Sequence, residues 1–291
     1  MINKWTIEET EKLKTLYNSN VSMKDISKAL NRTYIAVRSK AVELKLSTYG
    51  FVKRKYNANH EYFKKIDSIE KAYIFGLWCA DGCISDGRFD IAQHSKDEYL
   101  LMEIKKLLEY TGPLKKNGPH NMRLTISSKE ICQDIKNLGG MERKSVVMPF
   151  PSVPEVYYLD FIRGYCDGDG SVWYKKPKDK KNHYLYCKII GGHILLSHIQ
   201  KYILENYNLL LNLRTIDQNN NFSILDANGK KAQQFLDLMY KSVNDKKTNL
   251  FLTRKYEQYL KDLDNRRKQE KDCWGKATAL VQQVINGENN D

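Results

Sequence analysis

The sequence predicts an α+β protein with two pseudo-symmetric αββαββα repeats, each containing an antiparallel sheet, and a small three-helix domain at the N-terminus. Three observations carry this prediction. The order helix, two strands, helix, two strands, helix recurs from residue 67 onward. Each copy opens on a glycine-containing helix that ends in Asp-Gly. The first 48 residues instead contain three short helical patterns without strands.

The N-terminal segment, residues 1–48, is predicted to be a helix-turn-helix domain. Thr6 and Glu9 have the spacing of a capping box, which starts the first helix. Ser22 is expected to cap the second helix, and Thr33 the third. The inner face of the third helix is expected to consist of Ile35, Val37, Ala41 and Leu44.

The outer face of the third helix is expected to contact DNA, because its side chains could reach phosphates and base edges in a major groove. These residues are Tyr34, Arg38, Ser39 and Lys40. The segment resembles the Myb-like or SANT-like DNA-binding modules through Trp5 in WTIEE and the stretch NRTYIAVRSKA. A three-helix packing module that does not touch DNA is the alternative interpretation.

The two repeats are predicted over residues 67–150 and 151–264. Helices are expected over 68–82, 99–110 and 129–138 in the first repeat, and over 156–170, 194–207 and 230–240 in the second. Strands are expected over 83–85, 88–93, 113–117 and 122–127, and then over 171–176, 184–190, 213–217 and 221–227. Residues 265–291 begin strongly charged and continue with helical spacing, which is typical of a docking helix or an interaction tail.

The opening helices of the two repeats carry the most informative motif. Residues 74–82 read IFGLWCADG and residues 162–170 read IRGYCDGDG, so the two aspartates are separated by 169 − 81 = 88 residues. Gly76 and Ala80 are four residues apart, as are Gly164 and Gly168. Each helix therefore has a stripe of small residues that lets a partner backbone approach closely. The two helices are expected to pack against each other.

Packing of these helices predicts a metal site at their ends. Asp81 and Asp169 would lie side by side at two helix C-termini, where the helix dipole and the neighbouring carboxylate both disfavour negative charge. A bound cation relieves this. Mg²⁺ is the expected ion, with Mn²⁺ as an alternative, because it prefers a few carboxylates, several waters and substrate phosphates. The residues assigned to the metal site are Asp81, Asp169, Ala80 and Gly168. Alternatively, each aspartate only turns the chain before the following glycine.

The two motifs resemble the nine-residue motif of the LAGLIDADG homing endonucleases, with the family's glycine at Gly76 and Gly164 and its final Asp-Gly at residues 81–82 and 169–170. The resemblance implies a monomer that binds a long, asymmetric site in double-stranded DNA through two saddle-shaped sheets in the major groove. It also implies that Asp81 and Asp169 share divalent ions and that both strands are cut, which leaves short 3′ overhangs.

The same resemblance assigns further catalytic residues. Gln93 and His94 occupy the family's Gln-Lys position in the first repeat, although His94 departs from the lysine. Lys188 is the nearest counterpart in the second repeat by the order of elements. The first motif has Cys79 where the second has Asp167, so Asp167 is expected to be structural.

Basic residues along both repeats are expected to contact DNA, together with a linker over residues 49–66 that mixes basic residues with aromatic ones. Lys144 and Lys247 occupy matching places after the repeats' last helices, and solvated surface lysine is the alternative interpretation for both. The remaining predicted DNA contacts are Lys53, Arg54, Lys55, Arg88, Arg123, Lys175, Lys176 and Arg214.

Composition agrees with a nucleic-acid partner. The 48 basic and 35 acidic residues give a formal net charge of +13 and a pI of about 9.2, which favours a polyanionic partner. No segment approaches the roughly 20 apolar residues of a membrane span, and the polar start is unlike a secretory signal. We expect the protein in the cytoplasm of a bacterial or phage-infected cell, with an organellar matrix as the alternative.

Other functions on the same scaffold remain open at this point. A DNA-binding regulator that has lost cleavage is one alternative, although the acidic residues of both motifs are intact. An RNA maturase that assists intron splicing is another. The histidines and the six cysteines have no recognisable ligand spacing, which disfavours a zinc-dependent nuclease of the HNH kind.

Overall fold

The computed structural model describes residues 4–19, 21–46, 55–141, 148–176, 183–217 and 221–287, with side chains as far as residue 271. The chain divides into two compact units, Met1–Asn57 and Ala58–Asp291. None of the helices in the described part of the chain is both long enough and apolar enough to cross a membrane.

The first unit consists of three helices, Ile7–Asn18 (α1), Met23–Ala29 (α2) and Tyr34–Glu43 (α3). The capping box at the start of α1 is present, since Thr6 and Glu9 exchange backbone-to-side-chain hydrogen bonds of 2.9 and 3.1 Å. Arg32 donates to both carboxylate oxygens of Glu9 and holds the pKa of that carboxyl at about 2. Its guanidinium also lies over the Trp5 ring. These contacts hold α1 against the turn before α3.

The inner face of α3 differs from the predicted one at Ile35. Val37 and Ala41, four residues apart, are completely buried in the three-helix core. Ile35 lies two residues before Val37, which places it on the opposite side of the helix, and 75% of its surface is exposed. Leu44 is half-buried against the same core. The prediction was therefore wrong for Ile35 because apolar character alone does not identify the buried face.

The second unit contains two copies of one topology, which confirms the predicted α+β class. Its helices are Ile69–Asp81 (α4), Glu98–Leu107 (α5), Lys129–Asn137 (α6), Tyr158–Asp169 (α7), His193–Tyr207 (α8), Gly229–Met239 (α9), Lys241–Asn244 (α10) and Thr253–Gly287 (α11). Its strands are Gly82–Ser85 (β1), Arg88–His94 (β2), Lys115–Lys116 (β3), Asn121–Ser127 (β4), Gly170–Lys175 (β5), Tyr184–Gly192 (β6), Asn212–Asp217 (β7) and Phe222–Asn228 (β8). The antiparallel sheets have the orders β1-β2-β4-β3 and β5-β6-β8-β7.

Each sheet packs one face on helices. In the first sheet, Phe89, Ile91, Leu124 and Ile126 alternate along β2 and β4 and are buried. The second sheet repeats this arrangement with Leu185, Cys187, Ile189 and Leu225. The alternate positions form the opposite face, which we call the outer face. Its residues include Arg88 and Arg123 in the first sheet, and Trp173, Lys175, Tyr186 and Lys188 in the second.

Helices α4 and α7 cross at their glycines in the middle of the unit. A Cβ atom on Gly76 would overlap the Phe161 carbonyl oxygen, and one on Gly164 would overlap the Tyr73 carbonyl oxygen. The two backbones are thus in direct contact, as the stripes of small residues predict.

The end of the predicted linker belongs to the second unit. Tyr62, Phe63 and Ile66 are buried, and the Phe63 ring lies 6.4 Å from the ring of Phe75 and 5.5 Å from that of Phe89. Tyr62, Phe63 and Ile66 therefore belong to the core of the second unit, while the charged residues of the same stretch, Glu61, Lys64 and Lys65, are exposed. At the other end, α11 runs without a break through residue 264, where a boundary between repeat and tail was predicted.

Candidate active site

The two motif aspartates come together at the ends of the crossing helices. Asp81 is the last residue of α4 and Asp169 the last of α7, and both are exposed. A Cβ atom on Gly168 would lie 3.1 Å from Asp81 Oδ2 and would overlap the Ala80 side chain. The carboxyl group of Asp81 therefore lies beside the residue that precedes Asp169. All four residues predicted for the metal site are gathered at this point.

Asp81 is held by Gln93 from the neighbouring strand. Gln93 is buried in β2, and its Nε2 donates a 2.6 Å hydrogen bond to Asp81 Oδ2. Strand β1 begins directly after Asp81 and pairs with β2, so the hairpin brings Gln93 back to the end of α4. An amide donor at this position orients the carboxylate without neutralising it.

Asp169 lies near a tyrosine that the sequence did not single out. Tyr165 precedes Asp169 by one helical turn on α7, and both residues line one cavity. Burial raises the pKa of the Tyr165 phenol, and the charge of Asp169 raises it further. The spacing of four residues on one helix was the available signal. A cavity of about 350 Å³ adjoins this pair and is also lined by Ala80 and Gly191.

The predicted partners His94 and Lys188 occupy different surroundings from Gln93. His94 is exposed at the end of β2, where its Nδ1 accepts a hydrogen bond from the Lys96 backbone and its ring stacks on His120 at 6.2 Å. Lys188 is half-buried on the outer face of β6, between Ser171 and Asp226 in the sheet register.

The register corrects the assignment of Lys188. In the first repeat Gly82 pairs with Ile91, and in the second Gly170 pairs with Ile189. Gln93 lies two residues beyond Ile91, and two residues beyond Ile189 is Gly191. Lys188 matches Asp90 instead, so the count by order of elements placed it three residues away from the true counterpart of Gln93.

A buried lysine lies behind Asp169 and was also missed. Lys255 Nζ donates hydrogen bonds of 2.6 to 2.7 Å to the carbonyl oxygens of Cys166, Asp167 and Gly170. These carbonyls lie at the C-terminal end of α7, where a positive charge opposes the negative end of the helix dipole. Lys255 belongs to α11, so only the tertiary structure reveals the contact. It fixes the end of the helix that presents Asp169.

Asp167 is structural, as the comparison of the two motifs predicts. It is buried, its Oδ2 accepts hydrogen bonds from the Tyr73 hydroxyl at 2.7 Å and the Leu252 backbone at 2.9 Å, and burial raises its pKa. Its carboxyl group therefore joins α4 to the segment before α11 and does not face the exposed end of α7.

The predicted DNA contacts of the second unit lie mainly on the outer faces of the sheets. Arg88 is exposed, and Arg123 donates to Asn117 Oδ1 at 2.7 Å. Lys175 Nζ lies 5.8 Å from the stacked rings of Trp173 and Tyr186. Arg214 donates to Asp226, Lys176 is exposed after β5, and Lys247 pairs with Asp245 at 3.8 Å after α10.

In the first unit, Tyr34, Arg38 and Ser39 are exposed on α3, as predicted. Lys40 is half-buried and pairs with Glu43 at 2.6 Å. Lys55 lies beside the Tyr56 ring. Lys53, Arg54 and Lys144 fall outside the described residues. Exposed apolar side chains, Ile35 and Val42, share the outer face of α3 with Tyr34 and Arg38.

The site offers two carboxylates to a metal ion. Among the described residues, no group of three or more His, Cys, Asp or Glu side chains is placed to hold a metal ion. Asp81 and Asp169 supply two carboxylates, and carboxylate oxygens are the ligands that Mg²⁺ prefers in proteins.

Comparisons with known proteins give low identities. No family model matches the chain. A reverse gyrase from Methanocaldococcus jannaschii is 27% identical over 179 residues, which are 60% of this chain and only 10% of that protein. Among solved structures, the I-LtrWI LAGLIDADG homing endonuclease bound to target DNA is 17% identical, with 72% of this chain and 92% of that chain covered at a TM-score of 0.46. The meganuclease I-SmaMI bound to uncleavable DNA is 13% identical, with 66% and 89% covered at a TM-score of 0.47.

Proposed function

We propose that this chain is a LAGLIDADG-type homing endonuclease, which cuts both strands of a long, asymmetric DNA site by Mg²⁺-dependent phosphodiester hydrolysis and leaves short 3′ overhangs. One observation carries the proposal. Two exposed carboxylates, Asp81 and Asp169, come together at the ends of equivalent helices from two copies of one fold. A pair of equivalent groups can serve the two antiparallel strands of a duplex from a single monomer.

The donors at the site fit a hard divalent cation. Asp81 and Asp169 would hold it, together with backbone oxygens of Ala80 and Gly168 at the same helix ends. When bound, Mg²⁺ activates water for attack and stabilises the leaving oxygen of the phosphodiester. Gln93 orients the carboxylate of Asp81. The cavity beside Asp169 offers room for a phosphate and its waters.

The outer faces of the sheets supply the DNA-binding surface. A two-stranded β-ribbon fits the major groove, where arginine recognises guanine and apolar groups contact the thymine methyl. The first sheet presents Arg88 and Arg123. The second presents the stacked pair of Trp173 and Tyr186 beneath Lys175. Because the two faces differ chemically, the two halves of the target are expected to differ in sequence.

Metal-dependent cleavage tests the proposal directly. The purified chain is incubated with a pool of plasmids that carry long randomised inserts or fragments of its own flanking genomic DNA, and the ends are sequenced. We expect a defined cut with Mg²⁺ or Mn²⁺, because the carboxylates need a cation, and none with EDTA. Tight binding without cleavage under any of these ions would instead indicate a regulator, and a preference for RNA over duplex DNA a maturase.

The first unit is proposed to add a second DNA contact through α3. Arg38 lies at the centre of its exposed outer face. We expect Arg38→Ala to weaken binding of the selected target about tenfold, because one side-chain contact to a base is worth about 1 to 3 kcal/mol. Titration of labelled DNA in EDTA measures this. The control is Lys12→Ala, which removes the same charge from the exposed side of α1. Equal effects of the two variants would show that α3 does not contact DNA specifically.

A further inference from the structure

The two repeats place a side chain with a hydrogen-bond donor beside their aspartates from different elements. In the first repeat the donor is the Gln93 amide, which reaches Asp81 from strand β2. In the second repeat the register places Gly191 where Gln93 stands, so the strand has no side chain to offer. Its place is taken by Tyr165 of α7, which lines one cavity with Asp169 and Gly191 and whose phenol interacts with the Asp169 charge.

On the opening helices, the second repeat has a hydrogen-bonding side chain at a position where the first repeat has none. Gly76 and Gly164 are equivalent in the two motifs, so Tyr165 matches Leu77, a buried residue without a hydrogen-bonding group. The first repeat thus combines Leu77 with Gln93, and the second combines Tyr165 with Gly191. Each repeat contains one donor, although on different elements.

The Tyr165 side chain and a side chain at position 191 would occupy the same volume. A Cβ atom on Gly191 would overlap the Tyr165 hydroxyl oxygen, with the ring carbon Cζ at 3.3 Å. The tyrosine therefore occupies the volume into which a side chain at position 191 would project. A glutamine at that position and the tyrosine at 165 exclude each other sterically, because both would fill one site beside Asp169.

We propose that Tyr165 is the positioning residue for Asp169. The pair Tyr165 and Gly191 replaces the pair Leu77 and Gln93 of the first repeat, with the polar side chain on the helix instead of on the strand. The inference rests on the proposed endonuclease function. It adds a role for Tyr165 that no motif assigns, and it explains why the second repeat carries a glycine at the end of β6. Loss of the phenol should disturb one of the two carboxylates and leave the other in place.

Exchange of the pair tests this. The substrate is a supercoiled plasmid with the selected target, which reports the first and the second strand cut separately as nicked and linear DNA. Tyr165→Phe removes only the hydroxyl, and we expect one strand to be cut about tenfold more slowly, with nicked circles accumulating and DNA affinity unchanged. We expect Gly191→Gln alone to cut that strand more slowly as well, because the glutamine side chain would overlap the Tyr165 ring.

Rescue distinguishes positioning from packing. The double variant Tyr165→Leu/Gly191→Gln installs the first repeat's pair in the second, and we expect it to cut the slow strand faster than Tyr165→Leu alone. Wild-type kinetics for Tyr165→Phe, or a double variant no better than Tyr165→Leu, would overturn the proposal.

A stability measurement keeps this inference separate from the proposed function. In a double-mutant cycle of Tyr165→Phe and Asp169→Asn, the shifts of the urea midpoint should be non-additive if the two side chains are hydrogen-bonded. If the wild type cuts no DNA, the endonuclease proposal fails while the cycle still reports on the hydrogen bond. Additive shifts would refute the pairing whether or not the protein cuts.

Discussion

Asp81→Asn and Asp169→Asn are each expected to slow DNA cleavage by about a thousandfold or more while leaving DNA binding within about threefold. The amide has the size of the carboxylate, so the helix ends keep their packing. It lacks the negative charge that a divalent cation requires, and metal assistance at a phosphodiester is worth several kcal/mol of transition-state stabilisation. Because each repeat supplies one of the two aspartates of the site, each single variant should lose DNA cleavage.

The measurement is single-turnover cleavage of the selected target in Mg²⁺, with binding titrated separately in EDTA. Asp264→Asn is the matched control, because Asp264 is an exposed aspartate on α11. The control should cut at the wild-type rate. Normal cleavage by either motif variant would show that the metal site lies elsewhere.

Gly164→Ala and Gly76→Ala are each expected to lower the free energy of unfolding by about 3 kcal/mol or more. The added methyl group would overlap a carbonyl oxygen of the opposite helix, Tyr73 for Gly164 and Phe161 for Gly76. Backbone atoms in the centre of a packed unit cannot turn aside as a side chain can, so α4 and α7 must separate. The usual gain in helix propensity from glycine to alanine, about 1 kcal/mol, acts in the opposite direction.

Urea unfolding followed by circular dichroism measures these losses. Gly118→Ala is the control, since a Cβ atom there meets nothing within 4 Å and only the positive φ of 77° opposes the substitution. That strain costs about 1 kcal/mol. Equal losses of unfolding free energy in Gly118→Ala and in the two crossing-glycine variants would show that the α4 and α7 backbones are not in direct contact.

The sequence alone was sufficient to predict the architecture of the two repeats and the pairing of Asp81 with Asp169. Turn residues and period-two patterns placed the eight strands, and the repeated order of elements identified two copies of one fold. The four-residue spacing of small residues on each opening helix was enough to predict that Asp81 and Asp169 would converge. These features are local, or repeat locally, and a linear pattern therefore contains them.

Contacts between distant segments were decided only by the tertiary structure. The pairing register showed that Gly191, and not Lys188, matches Gln93, because one residue of slippage changes which side chain faces the site. Lys255 reaches the end of α7 from a helix that begins more than 80 residues later. The burial of Tyr62, Phe63 and Ile66 and the exposure of Ile35 likewise depend on which surfaces meet. Apolar character does not indicate which residues a side chain packs against. Sequence periodicity therefore determines the helices and strands, and packing decides which residues from distant segments complete the site.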